Sequence, residues 1–195
     1  MLFATGTELA LVGGREEEEV TKGTIVTEGN RPAVRLERRL ADPPSVVWQV
    51  LTDREQLASW FPCDVIVEGG RWEVGAVISF PFLPDVIDMI LTGTVLAVDE
   101  PNELAFSWGD ETLRFQLSGR GGGTLLVLFD ELPPRAAARN AAGWDECLDR
   151  LTGLHPTSDA WQPRFAAYSA AFEPILGPQD GPPAGYKGDA GKKGK

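Results

Sequence analysis

Few side chains in this sequence are of the kinds that do chemistry, and their spacing narrows them further. His155 is the only histidine, so any imidazole base or triad has to use it. It follows Gly153 and precedes Pro156, where a helix ends, and a cation at a helix C-terminus is already favoured by the dipole. That structural role accounts for it. Cys63 and Cys147 are the only thiols, and two cysteines with one histidine make neither a disulfide framework nor a metal cluster. Cys147 stands three residues past Trp144, at the border of an apolar stripe, and reads as an inert buried thiol. Cys63 follows Pro62 and has no base beside it in sequence. Neither a catalytic residue nor a metal or cofactor is expected. Whether the chain is an enzyme stays open, with a non-catalytic role favoured.

The aromatic residues say more. Six tryptophans are many for 195 residues. Trp72, Phe80 and Phe82 share strand parity, as do Phe106 and Trp108, and Leu113, Phe115 and Leu117. If these rows face a helix, they meet Trp144, Leu148 and Leu151. An apolar chamber with few polar groups is what a small-molecule site usually looks like, although the same residues could simply fill the space. Trp60 and Phe61, from a short helix closing one end, complete the candidate lining. Arg38 breaks the inward row of its strand and is the candidate for holding a ligand carboxylate in its guanidinium fork. The alternative for Arg38 is a salt bridge to Asp53 or Glu55. Parity turns Arg114 outward.

The element that must position these residues is the stretch Pro133 to Gly153. Its apolar residues Ala137, Ala141, Trp144, Leu148 and Leu151 step by four, three, four and three, one stripe along an α-helix. Tandem prolines at the start and a glycine at the end fit helix termini. Glu146 and Arg150 are spaced to pair on its outer face. Ahead of it, Val34, Leu36 and Leu40 mark a half-buried first strand. Asp42 is the expected cap of a helix beginning Pro43-Pro44, with Val47, Val50 and Leu51 inside. Thr52 or Asp53 caps a second short helix that holds Leu57, Trp60 and Phe61. Runs at 65–67, 72–82, 89–98, 103–108, 112–118 and 124–130 then read as an antiparallel meander, with turn signals between them. The fold class is α+β: a curved antiparallel sheet of about six or seven strands around a long C-terminal helix, with two short helices after the first strand.

At 195 residues the chain suits one domain. Residues 1–30 read as a flexible acidic segment with a short edge strand near Thr24 to Thr27. The domain proper runs over 31–154. An additional helix, Ser158 to Phe172, packs outside it within 155–176. Residues 177–195, rich in glycine, proline and lysine, are expected to be disordered. A net charge of −11 argues against nucleic acid, which needs a basic face. No apolar run is long enough to span a membrane. No signal peptide is read at the start, and both cysteines read as reduced thiols, which points to the cytoplasm.

Four pieces in this order carry a resemblance: VWQVLTDREQLASWF (Val47 to Phe61), GTVLAVDEPNELAFSW (Gly93 to Trp108), GTLLVLFDEL (Gly123 to Leu132) and GWDECLDRL (Gly143 to Leu151). Together they resemble the START-like superfamily, also called the helix-grip or SRPBCC fold. The narrower likeness is to the branch named after the C-terminal domain of the activator of heat-shock-protein-90 ATPase. The resemblance implies a cavity between the curved sheet and the long helix that holds an apolar or aromatic molecule. It supplies no catalytic motif to carry over. The small-molecule reading makes Trp60, Phe61, Trp72, Phe80, Phe82, Trp108, Phe115, Trp144, Leu148, Leu151 and Arg38 the ligand-binding residues. The alternatives are a cyclase- or hydrolase-type enzyme acting on such a molecule, and an interaction module whose partner is a chaperone; a homodimer also remains open. Chaperone activation is not inherited from the likeness, because it belongs to a separate N-terminal domain that residues 1–30 leave no room for.

Overall fold

The computed structural model describes residues 23–84, 87–157 and 160–182. Two strands, β1 (Thr24–Val26) and β2 (Ala33–Leu40), precede the helices α1 (Pro44–Thr52) and α2 (Arg54–Trp60). Then come β3 (Ile66–Val67), β4 (Val77–Pro81), β5 (Ile90–Asp99), β6 (Glu103–Trp108), β7 (Glu111–Arg120) and β8 (Gly123–Glu131). The long helix α3 (Ala137–Leu151) and a further helix α4 (Trp161–Leu176) end the described chain. All strands pair antiparallel in one eight-stranded sheet, in the order β1-β2-β8-β7-β6-β5-β4-β3. The first long strand thus closes against the last, from Ala33↔Glu131 to Leu40↔Thr124. This is the helix-grip architecture. The expected edge strand forms as β1.

The sheet is bent where it must pass around α3. β5 carries a register shift between Val95 and Ala97 against β6, and such a bulge sharpens local twist. Two residues earlier, a Cβ on Gly93 would lie 1.9 Å from the Ser107 carbonyl oxygen. Only glycine lets those backbones approach so closely. The inner face is dense: Leu36, Phe80, Leu104, Leu113, Leu126, Leu128, Ala141 and Leu148 are all essentially inaccessible to solvent.

Four local expectations need correction. Asp42 does not cap α1; Pro43 holds the cap position in an extended conformation, with no side-chain cap, because a residue before proline is pushed out of the helical region. Asp53, by contrast, does cap α2, its carboxylate accepting from the amides of Glu55 and Gln56. Trp72 is not in a strand: a turn through Glu73–Ala76, with Gly75 at φ 93°, delays β4 to Val77. Glu146 does pair with Arg150 at 3.6 Å, but it is buried rather than on an outer face, with α4 packed against α3.

The fourth correction concerns the tail. Residues 177–182 are ordered against the start of α3. The cap residue of that helix, Ala136, supplies no side-chain bond; the Ala137 amide donates to the Pro134 carbonyl, and the next amides need partners from elsewhere. Gln179 Oε1 accepts from the Ala138 amide at 3.0 Å, and Asp180 pairs with Arg135 at 2.6 Å. The expectations for 1–22 and 183–195 lie outside the described residues. No helix among the described residues is long and apolar enough to cross a membrane.

Candidate functional site

Phe80, Phe106, Trp108 and Phe115 turn inward from their strands as parity predicts, whereas Trp72 lies outside a strand; most of these rings meet at Phe61. It leaves the end of α2 and meets five rings: Trp60 and Trp108 edge-on at 5.3 Å, Trp144 at 5.3 Å, Phe80 at 6.3 Å and Phe106 at 6.4 Å. Phe80 and Trp108 approach to 4.6 Å, and Trp108 and Trp144 to 5.7 Å. Phe115 packs against Trp60 and Phe106. These separations are those of touching rings, so side chains fill the space between sheet and helix. Leu148 is wholly buried, while Trp72, Phe82 and Leu151 are half-buried around the edge. Trp72 reaches back to the helix pair, its indole donating to the Thr52 carbonyl at 2.8 Å. Phe82 lies 5.7 Å from Trp108.

At one end of this aromatic interior stands a polar group that the motif reading missed. Asp130, on the inner row of β8, is fully buried, and Glu111, at the start of β7, nearly so. Asn140 of α3 joins them: its amide nitrogen donates to Glu111 Oε2 at 2.7 Å and to Asp130 Oδ2 at 3.0 Å. Trp144 Nε1 donates to the same Asp130 Oδ2 at 3.1 Å. Among the described residues Asp130 Oδ1 finds no hydrogen-bond partner. Burial, with the neighbouring Asp130, lifts the Glu111 carboxyl to about 8; burial lifts Asp130 to about 7, against the pull of the Asn140 and Trp144 hydrogen bonds. A carboxylic acid protonated near neutral pH can both donate and accept a hydrogen bond. The signal was present in the sequence: Asp130 continues the parity of Leu126 and Leu128, Glu111 that of Leu113 and Phe115, and Asn140 lies one turn before Trp144.

Arg38 does face inward, but its fork is engaged. It bonds to Asp145 and, at 2.8 Å, to Asp149, both on α3. Arg164 of α4 binds the same two acids at 3.2 and 2.6 Å. The partners are therefore helical acids and not Asp53 or Glu55. The charges strap β2 and α4 to the back of α3, away from the rings. Arg114 points outward and pairs with Glu103. His155 is exposed beyond the end of α3. Cys63 and Cys147 are both buried, and burial pushes the Cys63 thiol upward, which makes it inert.

An open pocket of about 330 Å³ lies elsewhere, over Arg39 to Ala41 and the β7–β8 turn from Arg120 to Thr124. It has no aromatic wall. Among the described residues no group of three or more histidine, cysteine or acidic side chains is placed to hold a metal.

A family model described as activator of Hsp90 ATPase homolog 1-like protein matches residues 41–155. Among solved structures, a conserved protein of unknown function from Enterococcus faecalis, EF2215, superimposes with TM-score 0.65 at 26% identity, over 80% of this chain and 93% of that one. CalU16 from Micromonospora echinospora gives TM-score 0.62 at 22% identity, over 78% of this chain and 95% of its own, a likeness of fold. DynU16, described as a putative protein in the dynemicin biosynthetic locus, gives TM-score 0.54 at 25% identity, over 62% of this chain and 46% of that one. No curated protein matches the chain.

Proposed function

Because the chain belongs to the family of activator of Hsp90 ATPase homolog 1-like proteins, we propose that it uses its START-like fold to bind one small apolar or aromatic molecule between the curved sheet and α3. The observation that carries this is the run of rings Phe82, Trp108 and Trp144, which leads from a half-buried edge to a buried polar cluster. Aromatic surface with a few convergent polar groups is the usual make-up of a small-molecule site. The biosynthetic locus of DynU16 agrees with a small-molecule role. Since the interior is packed, the incoming molecule replaces ring–ring contacts at the Phe82 edge.

A second reading, an enzyme of the cyclase or hydrolase kind, is favoured by one feature alone. Glu111 and Asp130 are the right groups, in a dry setting, to give or take a proton. Binding comes first and is tested first. Titration with a panel of aromatic and fatty molecules should shift the tryptophan emission and raise Tm, since a ligand that binds only the folded state stabilises it. A panel that moves neither signal would sink the proposal.

A further inference from the structure

We propose that the molecule taken up at this site is an organic amine in its protonated form, an apolar or aromatic body bearing an ammonium group, with Asp130 Oδ1 as the atom that receives its N–H. The inference rests on the ligand-binding reading above and names the ligand's chemical class.

Asp130 is completely buried, yet one of its two oxygens is unused. Both available donors, Asn140 Nδ2 and Trp144 Nε1, go to Oδ2. Asn140 is then exhausted, because its second N–H serves Glu111. Two carboxyl groups thus share one amide, and no cation among the described residues is hydrogen-bonded to either. The nearest positive groups are otherwise occupied. Arg31 donates to the Asp110 carbonyl, and Arg139 to the Gly181 carbonyl at 3.4 Å. Arg31 and Arg139 act on the pair only from a distance, so burial still penalises its charged form, and an ammonium supplies both the missing donor and a charge in direct contact.

The surroundings suit a cation with an apolar body. Trp144 and Trp108 adjoin the acids: Trp144 through its bond to Asp130, Trp108 as the strand partner of Glu111. The body of the ligand would lie along Trp108 toward Phe82. An anion would face two acids, and a neutral alcohol would satisfy Oδ1 but leave the charge uncompensated. Access is short, since Glu111 stands at the surface end of the cluster, beside the exposed turn residues Gly109 and Asp110 and the half-buried Asn140. The charged groups facing the pair are Asp110, Arg31 and Arg139. Because burial raises both carboxyls, amine binding at neutral pH must expel a proton from the pair, so affinity should strengthen as pH rises.

The test compares three probes with one body: 2-(biphenyl-4-yl)ethylamine, 2-(biphenyl-4-yl)ethanol and biphenyl-4-ylacetate, by calorimetry on the full chain. The amine should bind roughly tenfold or more tightly than the other two, the worth of one charge-assisted hydrogen bond. Its advantage over the alcohol should grow between about pH 6 and about pH 8. Asp130→Asn should bring amine and alcohol to within about twofold while leaving the alcohol's own affinity in place. Glu111→Gln, the second variant, should flatten the pH dependence, so the reasoning does not hang on one substitution folding. Equal binding of amine and alcohol to the unaltered protein, or a preference that survives Asp130→Asn, overturns the amine assignment and leaves ligand binding standing. Failure of all three probes to bind overturns both.

Discussion

Replacing Trp144 by alanine separates a packed interior from an open chamber. Trp144 is 4% exposed, with Phe61 at 5.3 Å, Trp108 at 5.7 Å and a hydrogen bond to Asp130 at 3.1 Å. A ring on the wall of an empty chamber lacks neighbours on one side, and its truncation would cost only about 1–2 kcal/mol. A ring enclosed as this one is should cost about 3–5 kcal/mol, because the surrounding strands cannot collapse into the void. Losing the indole N–H adds about 1 kcal/mol, since Asp130 Oδ2 is left with Asn140 alone. Trp144→Phe keeps most of the ring and isolates that last part. The assay is urea unfolding followed by far-ultraviolet circular dichroism, which does not depend on the deleted fluorophore, with the midpoint shift read at constant slope. A loss below about 2 kcal/mol for the alanine variant would refute the packed reading.

Three further outcomes follow from the same contacts. Glu111 and Asp130 hold protons in the folded state that they release when unfolded, so the stability they contribute is full below the ordinary carboxylate range and is lost as pH rises from about 4 to about 8; over that range denaturant midpoints should fall more steeply in the unaltered protein than in Glu111→Gln. Arg38→Met leaves Asp145 and Asp149 with Arg164 alone, and removing one member of a buried ion cluster should cost about 3 kcal/mol by chemical unfolding. Ending the chain after Leu176 removes the Gln179 bond to Ala138 and the Asp180 pair; the loss of a helix cap predicts about 1 kcal/mol, or roughly 2–4 °C in Tm, and an unchanged Tm would mean this docking adds nothing.

What was legible in the sequence was whatever depends on period and on local chain chemistry. The helix stripe from Ala137 to Leu151, the strand parities of Phe80, Trp108 and Phe115, and the outward Arg114 all rest on side-chain direction, which follows from backbone geometry. Boundaries failed where two local rules competed, as at Pro43-Pro44, where the restriction before proline overrode the Asp42 cap. Partners failed where tertiary packing chose among several candidates. Arg38 had acids close in sequence, yet α3 brought Asp145 and Asp149 nearer from more than a hundred positions away. The acid cluster was missed for a different reason. Each member alone reads as a polar strand end or a helix face, and only the pairing of β7 with β8 under α3 brings them together.

Energy decides where a ligand can enter. Phe61 and Phe80 each touch several rings and are at most 6% exposed. Expelling one such side chain forfeits about 1.5–3 kcal/mol of burial before any ligand contact is made. A small aromatic molecule that buries about 200 Å² gains only about 5 kcal/mol, so displacing two central rings would consume the gain. Phe82 is only partly buried and meets Trp108 edge-on, so its displacement forfeits less. From there the path runs over Trp108 and Trp144 to Asp130, where an unpaired oxygen adds a directional interaction that the rings cannot supply. Trp72, also half-buried, is tied to the Thr52 carbonyl and packs on Phe106. Of the two edges, the one beside the acids is therefore the one at which binding energy and specificity coincide.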